Sequence, residues 1–403
     1  MLYAHEIEMD LTFRTVSGGD ALRASEAVST RTMIRRWAPR TLFASLLVLV
    51  VAIAAPGPCA AGDWDALMAR LTADGLDSTR LHRLFDRQEV WFDTAAMGRK
   101  MLELYESKYG SGLLRKVQTR LIELSYLSGK ADGRSGRETR AAIRTFQHVH
   151  DMALTGSASE DLLAQLRAEH RRAPAKVTAP PEPRSTGVYR SVITEERLAE
   201  ARAFLRKNRG LLDEVQRMYG VSAEVAVGIM TVETRVGTYL GVRSAFLTLA
   251  SMATTRRYEQ IAAALVHETP NTAQRKWVTT RLLQKSDWAY AELKALLTYT
   301  AANGQDPLDL PGSVYGAIGI CQFMPSSALR YGVDGNGDGV LDLFTLSDAV
   351  HSMGNFLSNQ GLNGARGRNA LRKALHCYNP SNVYVNTVLA VAEHLHSTAG
   401  QGS

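Results

Sequence analysis

The chain has 403 residues, a formal net charge of +7, 45% hydrophobic and 22% charged residues, and three cysteines. That is ordinary globular composition with length for two or three domains, and it permits a sizeable core. It contains no zinc-type Cys/His spacing, no phosphate loop and no basic-aromatic pattern of the kind nucleic acid requires. The modest basic excess lies partly in the Arg-rich segment before residue 41 and is a weak guide to any anionic partner.

Residues 1–32 are polar and unpatterned. From Met33 the chain reads MIRRWAPR, then an apolar run from Leu42 to Ala55, then PGPCAAG. A basic segment, a short apolar core and small residues describe a secretory signal peptide, with Met33 as a candidate start, so residues 1–61 are read as extension plus leader. The apolar run falls short of the roughly 20 residues of a membrane span, which disfavours an uncleaved anchor. Pro58 before Cys59 disfavours lipidation. The expected location is therefore the periplasm.

Residues 63–110 predict helices, with Leu67, Leu71, Leu81, Leu84 and Phe85 at helical spacing, then Met97, Met101, Leu104 and Tyr105. This segment is too short to form a comfortable domain alone. Residues 113–168 predict three helices: KVQTRLIELSYL, RAAIRTFQHVH and a third within MALTGSASEDLLAQL, with a Gly-containing loop between the first two. The signature DGRSGRETRAAIRTFQ resembles the small three-helix peptidoglycan-binding domain of cell-wall enzymes. The resemblance implies glycan or stem-peptide contact at that loop. A Pro-rich linker occupies residues 171–186. Glu195 to Tyr219 then predicts one long amphipathic helix.

Val221 to Gly237, VSAEVAVGIMTVETRVG, predicts a short, almost wholly buried helix. Ser222 is a good N-cap, Glu224 suits the first turn, and Gly237 offers a stop. Glu233 falls four residues after Ile229 and eight after Val225, on the same apolar face. A buried carboxyl is costly unless paired or protonated, and burial raises its pKa towards what a general acid needs. The alternative is a Glu at a helix end that turns to solvent or pairs with an Arg. The next motif, Gly312 to Ser327, is glycine-spaced; Gly316 and Gly319 permit either close approach to a sugar or tight packing.

DGNGDGVLD has the opening of an EF-hand loop. Asp334, Asn336 and Asp338 take positions 1, 3 and 5, Gly339 makes the turn at position 6, and Val340 offers its carbonyl. Thr345 stands where the bidentate Glu of a sensor hand belongs. A structural calcium site, able to accept sodium, or a metal-free acidic turn both fit. Neither assigns a metal to chemistry.

From Tyr219 onward the chain resembles the B-type lytic murein transglycosylases. Four ordered stretches carry this: YGVSAEVAVGIMTVETRVG, QDPLDLPGSVYGAIGICQFMPSS, YGVDGNGDGVLDLFTLSDAV and ALHCYNPSNVYVNTVLAVAEHL. FDRQEVWFD and LELYESKYG in the first segment resemble the start of the same domain. The resemblance implies a mainly α, lysozyme-like catalytic domain of residues 63–110 and 187–398, interrupted by the binding module. It implies Glu233 as the sole acid and base, cleaving the β-1,4 bond between N-acetylmuramic acid and N-acetylglucosamine to a 1,6-anhydro product. Ser313, Gln322, Tyr378, Asn379 and Tyr384 would line the cleft, Arg256 and Arg257 would contact the glycan, and Asp348 would complete the metal loop. Cys321 and Cys377 each precede a cleft residue, as a disulfide bracing the cleft or as two separate buried thiols.

Three rivals stay open: a wall-binding protein without catalysis, a lysozyme-type hydrolase using Asp306 or Asp309 as second carboxylate, and, least favoured, a calcium sensor. The expected partner is the peptidoglycan strand, with cell-wall enzyme complexes open and a monomer as the working state.

Overall fold

The structure, a computed structural model, describes residues 62–174, 177–178, 187–362 and 367–399. The readings made on residues 1–61 and on most of the linker lie outside the described residues. The described chain is mainly α. Its helices are α1 (Gly62–Ala73), α2 (Ser78–Phe85), α3 (Thr94–Tyr109), α4 (Gly112–Glu123), α5 (Arg137–Val149), α6 (Glu160–Ala168), α7 (Glu195–Lys207) and α8 (Arg209–Tyr219). They continue as α9 (Ala223–Thr234), α10 (Ala245–Thr254), α11 (Thr272–Ala302), α12 (Pro325–Tyr331), α13 (Leu346–Leu357), α14 (Arg368–Tyr378) and α15 (Asn382–Ala399). Two-residue strands β1 (Arg243–Ser244) and β2 (Pro311–Gly312) pair antiparallel, Arg243 opposite Gly312.

Apolar side chains gather into two clusters. The larger takes residues from α1–α3 together with residues from Val192 to Leu395. The smaller is built from α4–α6, around Val117, Leu121, Ile143, Phe146 and Leu162. In that smaller body buried Gln118 organises the loop between α4 and α5. Its Nε2 donates to Asp132 Oδ1, the Arg134 carbonyl and Thr139 Oγ1, while its Oε1 accepts from the Gly133 N–H at 2.7 Å.

The larger body is arranged around α9 and α11. Every residue of α9 except Glu224 is buried, so this helix is a core element on all sides. Gly228 lets it lie against α15: a Cβ there would sit 2.8 Å from the Val388 carbonyl. The 31-residue α11 opens on a capping box between Asn271 and Gln274 and packs against α3, α10 and α12.

Two boundaries differ from the sequence reading. The predicted helix over Glu195–Tyr219 breaks at Asn208, whose side-chain amide donates to the Phe204 carbonyl at 2.9 Å and so satisfies the end of α7. The predicted stop at Gly237 comes earlier. α9 ends at Thr234 because Arg235 and Val236 adopt positive φ, +51° and +52°, ahead of Gly237 at +87°.

Candidate active site

Three segments converge on the end of α9. Glu233 lies in its last turn with 1% of its surface exposed. Thr234, next in sequence, donates from Oγ1 to the Ile320 carbonyl at 2.7 Å and accepts the Gly237 N–H at 3.0 Å. The Tyr378 hydroxyl, at the end of α14, donates to the Cys321 carbonyl. Adjacent carbonyls of the 311–323 segment, those of Ile320 and Cys321, are thus held by α9 and α14.

That segment is an irregular ribbon. Gly312 bridges Ile318, and Ile318 bridges Phe323. Within it Ser313 Oγ accepts the Tyr315 and Ala317 N–H groups at 3.3 and 3.1 Å. Gln322 has a φ of 50°. Non-glycine residues seldom occupy that region. Its Nε2 donates to the Gly319 carbonyl at 3.0 Å. The side chains of Ser313 and Gln322 therefore both hold the ribbon's own backbone. The two glycines serve packing: a Cβ on Gly316 would meet Leu249 at 2.6 Å, and one on Gly319 would meet the Leu343 carbonyl at 2.5 Å.

Tyr384, from the first turns of α15, stacks parallel on Tyr378 with ring centroids 6.4 Å apart. Both phenols are buried. Burial pushes Tyr384 well above the usual phenol range, and the neighbouring Glu233 carboxylate pushes the same way. Tyr378 is raised by burial, then by Cys321 and Glu233. The Cys321 thiol is raised by burial and then by Glu233. Glu233 is the one carboxylate that acts on all three groups. Asn379 is half-buried and turns the chain from α14 into α15.

The backbone after Glu233 is strained, since a β-branched Val at positive φ is rare. Remote contacts hold it there. The Val236 N–H donates to the Met230 carbonyl at 2.9 Å, and Arg235 Nε donates to Glu200 Oε2 at 2.8 Å while Nη2 reaches Glu196 Oε1 at 2.5 Å. The Arg235 guanidinium is thus committed to α7.

Other expected site residues stand apart. Arg256 donates to Ser286 Oγ at 3.2 Å and to Asp287 Oδ1 at 2.6 Å, both on α11; Arg257 is exposed, and its N–H bonds Gln260. Neither bonds Glu233, Ser313, Gln322, Tyr378 or Tyr384. Asp306 pairs with Arg87 and caps the turn at Leu308, while Asp309 is exposed. The Cys321–Cys377 disulfide is not formed. Cys321 is buried with its sulfur 4.0 Å from Met353 Sδ, whereas Cys377 is exposed, so only one of the two is a buried thiol. The sequence reading missed Thr234, although it stands inside the motif that singled out Glu233.

The acidic loop closes on itself. Asp334 accepts the N–H groups of Gly337 and Gly339, each at 2.7 Å, and Asn336 Nδ2 donates to Asp338 Oδ2 at 2.8 Å. Asp348, wholly buried, accepts the Gly335 and Asp342 N–H groups at 3.0 and 2.7 Å. Val340 is exposed. The all-oxygen donor set suits a hard cation. Among the described residues, however, no three His, Cys, Asp or Glu side chains converge as a metal-binding group.

Fold and site define a mainly helical protein with the buried Glu233 carboxyl beside two buried phenols. Residues 139–372, more than half of the chain, match the family described as the transglycosylase SLT domain. The chain belongs to that family. Residues 111–166, the α4–α6 body, match a family described as a peptidoglycan binding domain; the two matches overlap from residue 139. The chain is 30% identical over 208 residues to membrane-bound lytic murein transglycosylase B of Escherichia coli (strain K12), covering 51% of this chain and 50% of that protein. It thus spans about half the length of that relative. Among solved structures it is similar to the soluble lytic transglycosylase SltB1 from Pseudomonas aeruginosa, at 20% identity and TM-score 0.43, covering 64% of this chain and 98% of that one. It is also similar to SltB3 from Pseudomonas aeruginosa, solved in complex with NAG-anhNAM-pentapeptide, at 16% identity and TM-score 0.48, covering 83% and 78%.

Proposed function

We propose that this protein is a lytic murein transglycosylase: it cleaves the β-1,4 bond between N-acetylmuramic acid and N-acetylglucosamine of peptidoglycan and leaves a 1,6-anhydro sugar. The observation that carries this reading is Glu233, buried and acting as the one carboxylate on Cys321, Tyr378 and Tyr384 together. A retaining glycosidase needs a second carboxyl about 5 Å away, and an inverting one needs a base to activate water. Asp306 and Asp309, the candidates for that second group, are engaged with Arg87 or exposed. One carboxyl suffices when the substrate supplies its own nucleophile. Glu233 protonates the leaving glycosidic oxygen and, now a carboxylate, takes the proton of the muramyl carbon-6 hydroxyl as that oxygen closes on carbon 1. The attack is intramolecular and gains from proximity. Protonation by a placed acid is worth about 10² to 10⁴ in rate. The neutral phenols of Tyr378 and Tyr384 keep the pocket free of further negative charge, and Ser313, Gln322 and Asn379 line the approach.

Mass spectrometry of muropeptides from digested sacculi tests this. Products lighter by one water than hydrolytic ones, absent with Glu233→Gln, are expected. Reducing-end muramyl products would assign a hydrolase; sacculus binding without products would assign a wall-binding protein.

We propose also that α4–α6 is a wall-binding module inserted in the catalytic body, and that the protein works in the periplasm. The separate apolar cluster of α4–α6 supports the first. No helix among the described residues is long and apolar enough to cross a membrane. We further propose that Asp334, Asn336, Asp338, the Val340 carbonyl and Asp348 take a calcium ion that stiffens this loop without entering the chemistry. Binding would exchange some of the loop's own N–H bonds for metal bonds. Calorimetric titration with calcium of the wild type and of Asp338→Ala tests it: heat from the former only is expected, and no heat from either would remove the site.

A further inference from the structure

One face of α11 carries Trp277, Arg281 and Lys285 at four-residue steps, and Trp288 three residues on. At the rise of an α-helix this stripe is about 16 Å long. Each ring steadies a cation. Lys108 lies 4.7 Å and Arg281 lies 5.8 Å from the Trp277 ring centroid, and Lys285 lies 5.2 Å from that of Trp288. On α3, which packs against α11, Lys100 lies 4.4 Å from the Tyr315 ring centroid. The cations outnumber their counter-charges. Among the described residues, Glu103 is the one carboxylate bonded to any of them, and it is shared between Lys100 at 3.0 Å and the Tyr315 hydroxyl at 2.5 Å. Lys285 is half-buried, and its pKa is lowered by burial and then by Lys100 and Arg281, with Glu103 opposing them. Like charges held together in this way leave room for an anion.

The stripe also has two ends with meaning. At one, Arg134, in the loop between α4 and α5, donates to the Lys108 carbonyl at 3.1 Å. At the other, Tyr315 stands two residues beyond Ser313, on the ribbon that walls the Glu233 pocket. We propose that the α3–α11 face bearing Lys100, Arg281 and Lys285 is a docking track for the carboxylate-bearing peptide stems of the glycan strand, running from the α4–α6 body to the catalytic cleft. This rests on the peptidoglycan reading above. The cations recognise the stem carboxylates, and the two tryptophans hold the cations in register.

The test uses the full chain as wild type and as Arg281→Gln/Lys285→Gln, with two substrates: intact sacculi, and glycan strands freed of stem peptides by an amidase. The readout is the rate of anhydromuramyl end formation at limiting substrate. The double variant should lose about three- to tenfold on peptide-bearing strands and nothing on peptide-free strands, since each exposed ion pair contributes modestly. The wild-type advantage should shrink as salt is raised. Equal losses on both substrates, or no loss on sacculi, would overturn the track. If the double variant misfolds, Arg281→Gln, exposed on the helix surface, carries the same test. If the wild type releases no anhydromuramyl ends at all, the transglycosylase reading fails. Sedimentation with peptide-bearing and peptide-free glycan then decides the track alone: weaker co-sedimentation of the variant with the former only supports it, and equal co-sedimentation ends it.

Discussion

Glu233 and Glu292 are both buried glutamates of the larger body, 1% and 6% exposed, yet their surroundings differ in kind. Glu292, on α11, sits at the N-terminus of α12. It accepts the Ser326 N–H at 2.9 Å and the Ser326 hydroxyl at 2.8 Å. A helix N-terminus favours negative charge. Glu233 sits at the opposite end of its helix, the C-terminal turn of α9, beside phenols that burial keeps neutral. The first carboxyl is tied to the backbone and hydroxyl of one neighbouring serine. The second lies among buried phenols and a buried thiol. The contrast separates a carboxylate that builds the fold from the one proposed above as the catalytic acid.

The contrast can be broken in order of effect. Glu233→Gln should lower turnover at least about 100-fold while leaving the melting temperature unchanged or slightly raised, as measured by product assay and calorimetry. Glu292→Ala should do the reverse. It leaves the Ser326 N–H and hydroxyl without their acceptor and should destabilise by about 1–3 kcal/mol in denaturant titration, with turnover per folded molecule retained. Tyr378→Phe removes one buried hydrogen bond to the Cys321 carbonyl. It should cost about 1 kcal/mol and loosen the wall beside Glu233, seen as a several-fold fall in turnover. The smallest effect is expected from a reductant, which should leave melting temperature and turnover unchanged because Cys321 and Cys377 are unbonded. A drop in melting temperature on reduction would restore the disulfide.

Much of the α9 region was legible in the chain. Ser222 caps the helix as its position predicts, accepting the Val225 N–H at 3.3 Å. The apolar pattern around Glu233 foretells its burial. Local pattern could not place the helix end. Arg235 and Val236 hold positive φ with the Val236 N–H on the Met230 carbonyl and with Glu196 and Glu200, distant in sequence on α7, on the Arg235 guanidinium. The break at Asn208 was hidden because the apolar spacing runs through it. The cysteine pair misled for a related reason. Standing beside Gln322 and Tyr378 says nothing of which way each sulfur points, and α14 turns Tyr378 inward while leaving Cys377 outside. The glycines of the second motif read equally as sugar contacts or as packing, and only the fold sets Leu249 and Leu343 against them. The spacing of Trp277, Arg281 and Lys285 stood in the chain, but Lys100 and Lys285 meet only through the packing of α3 on α11.

The most direct measurement is a crossed one: anhydromuramyl product rate and melting temperature, side by side, for Glu233→Gln and Glu292→Gln. Glu233→Gln is expected to lose at least about 100-fold in rate and keep its melting temperature, whereas Glu292→Gln melts earlier and keeps its rate per folded molecule. Product at the wild-type rate from Glu233→Gln would contradict it, and the search for the acid would begin again elsewhere in the cleft.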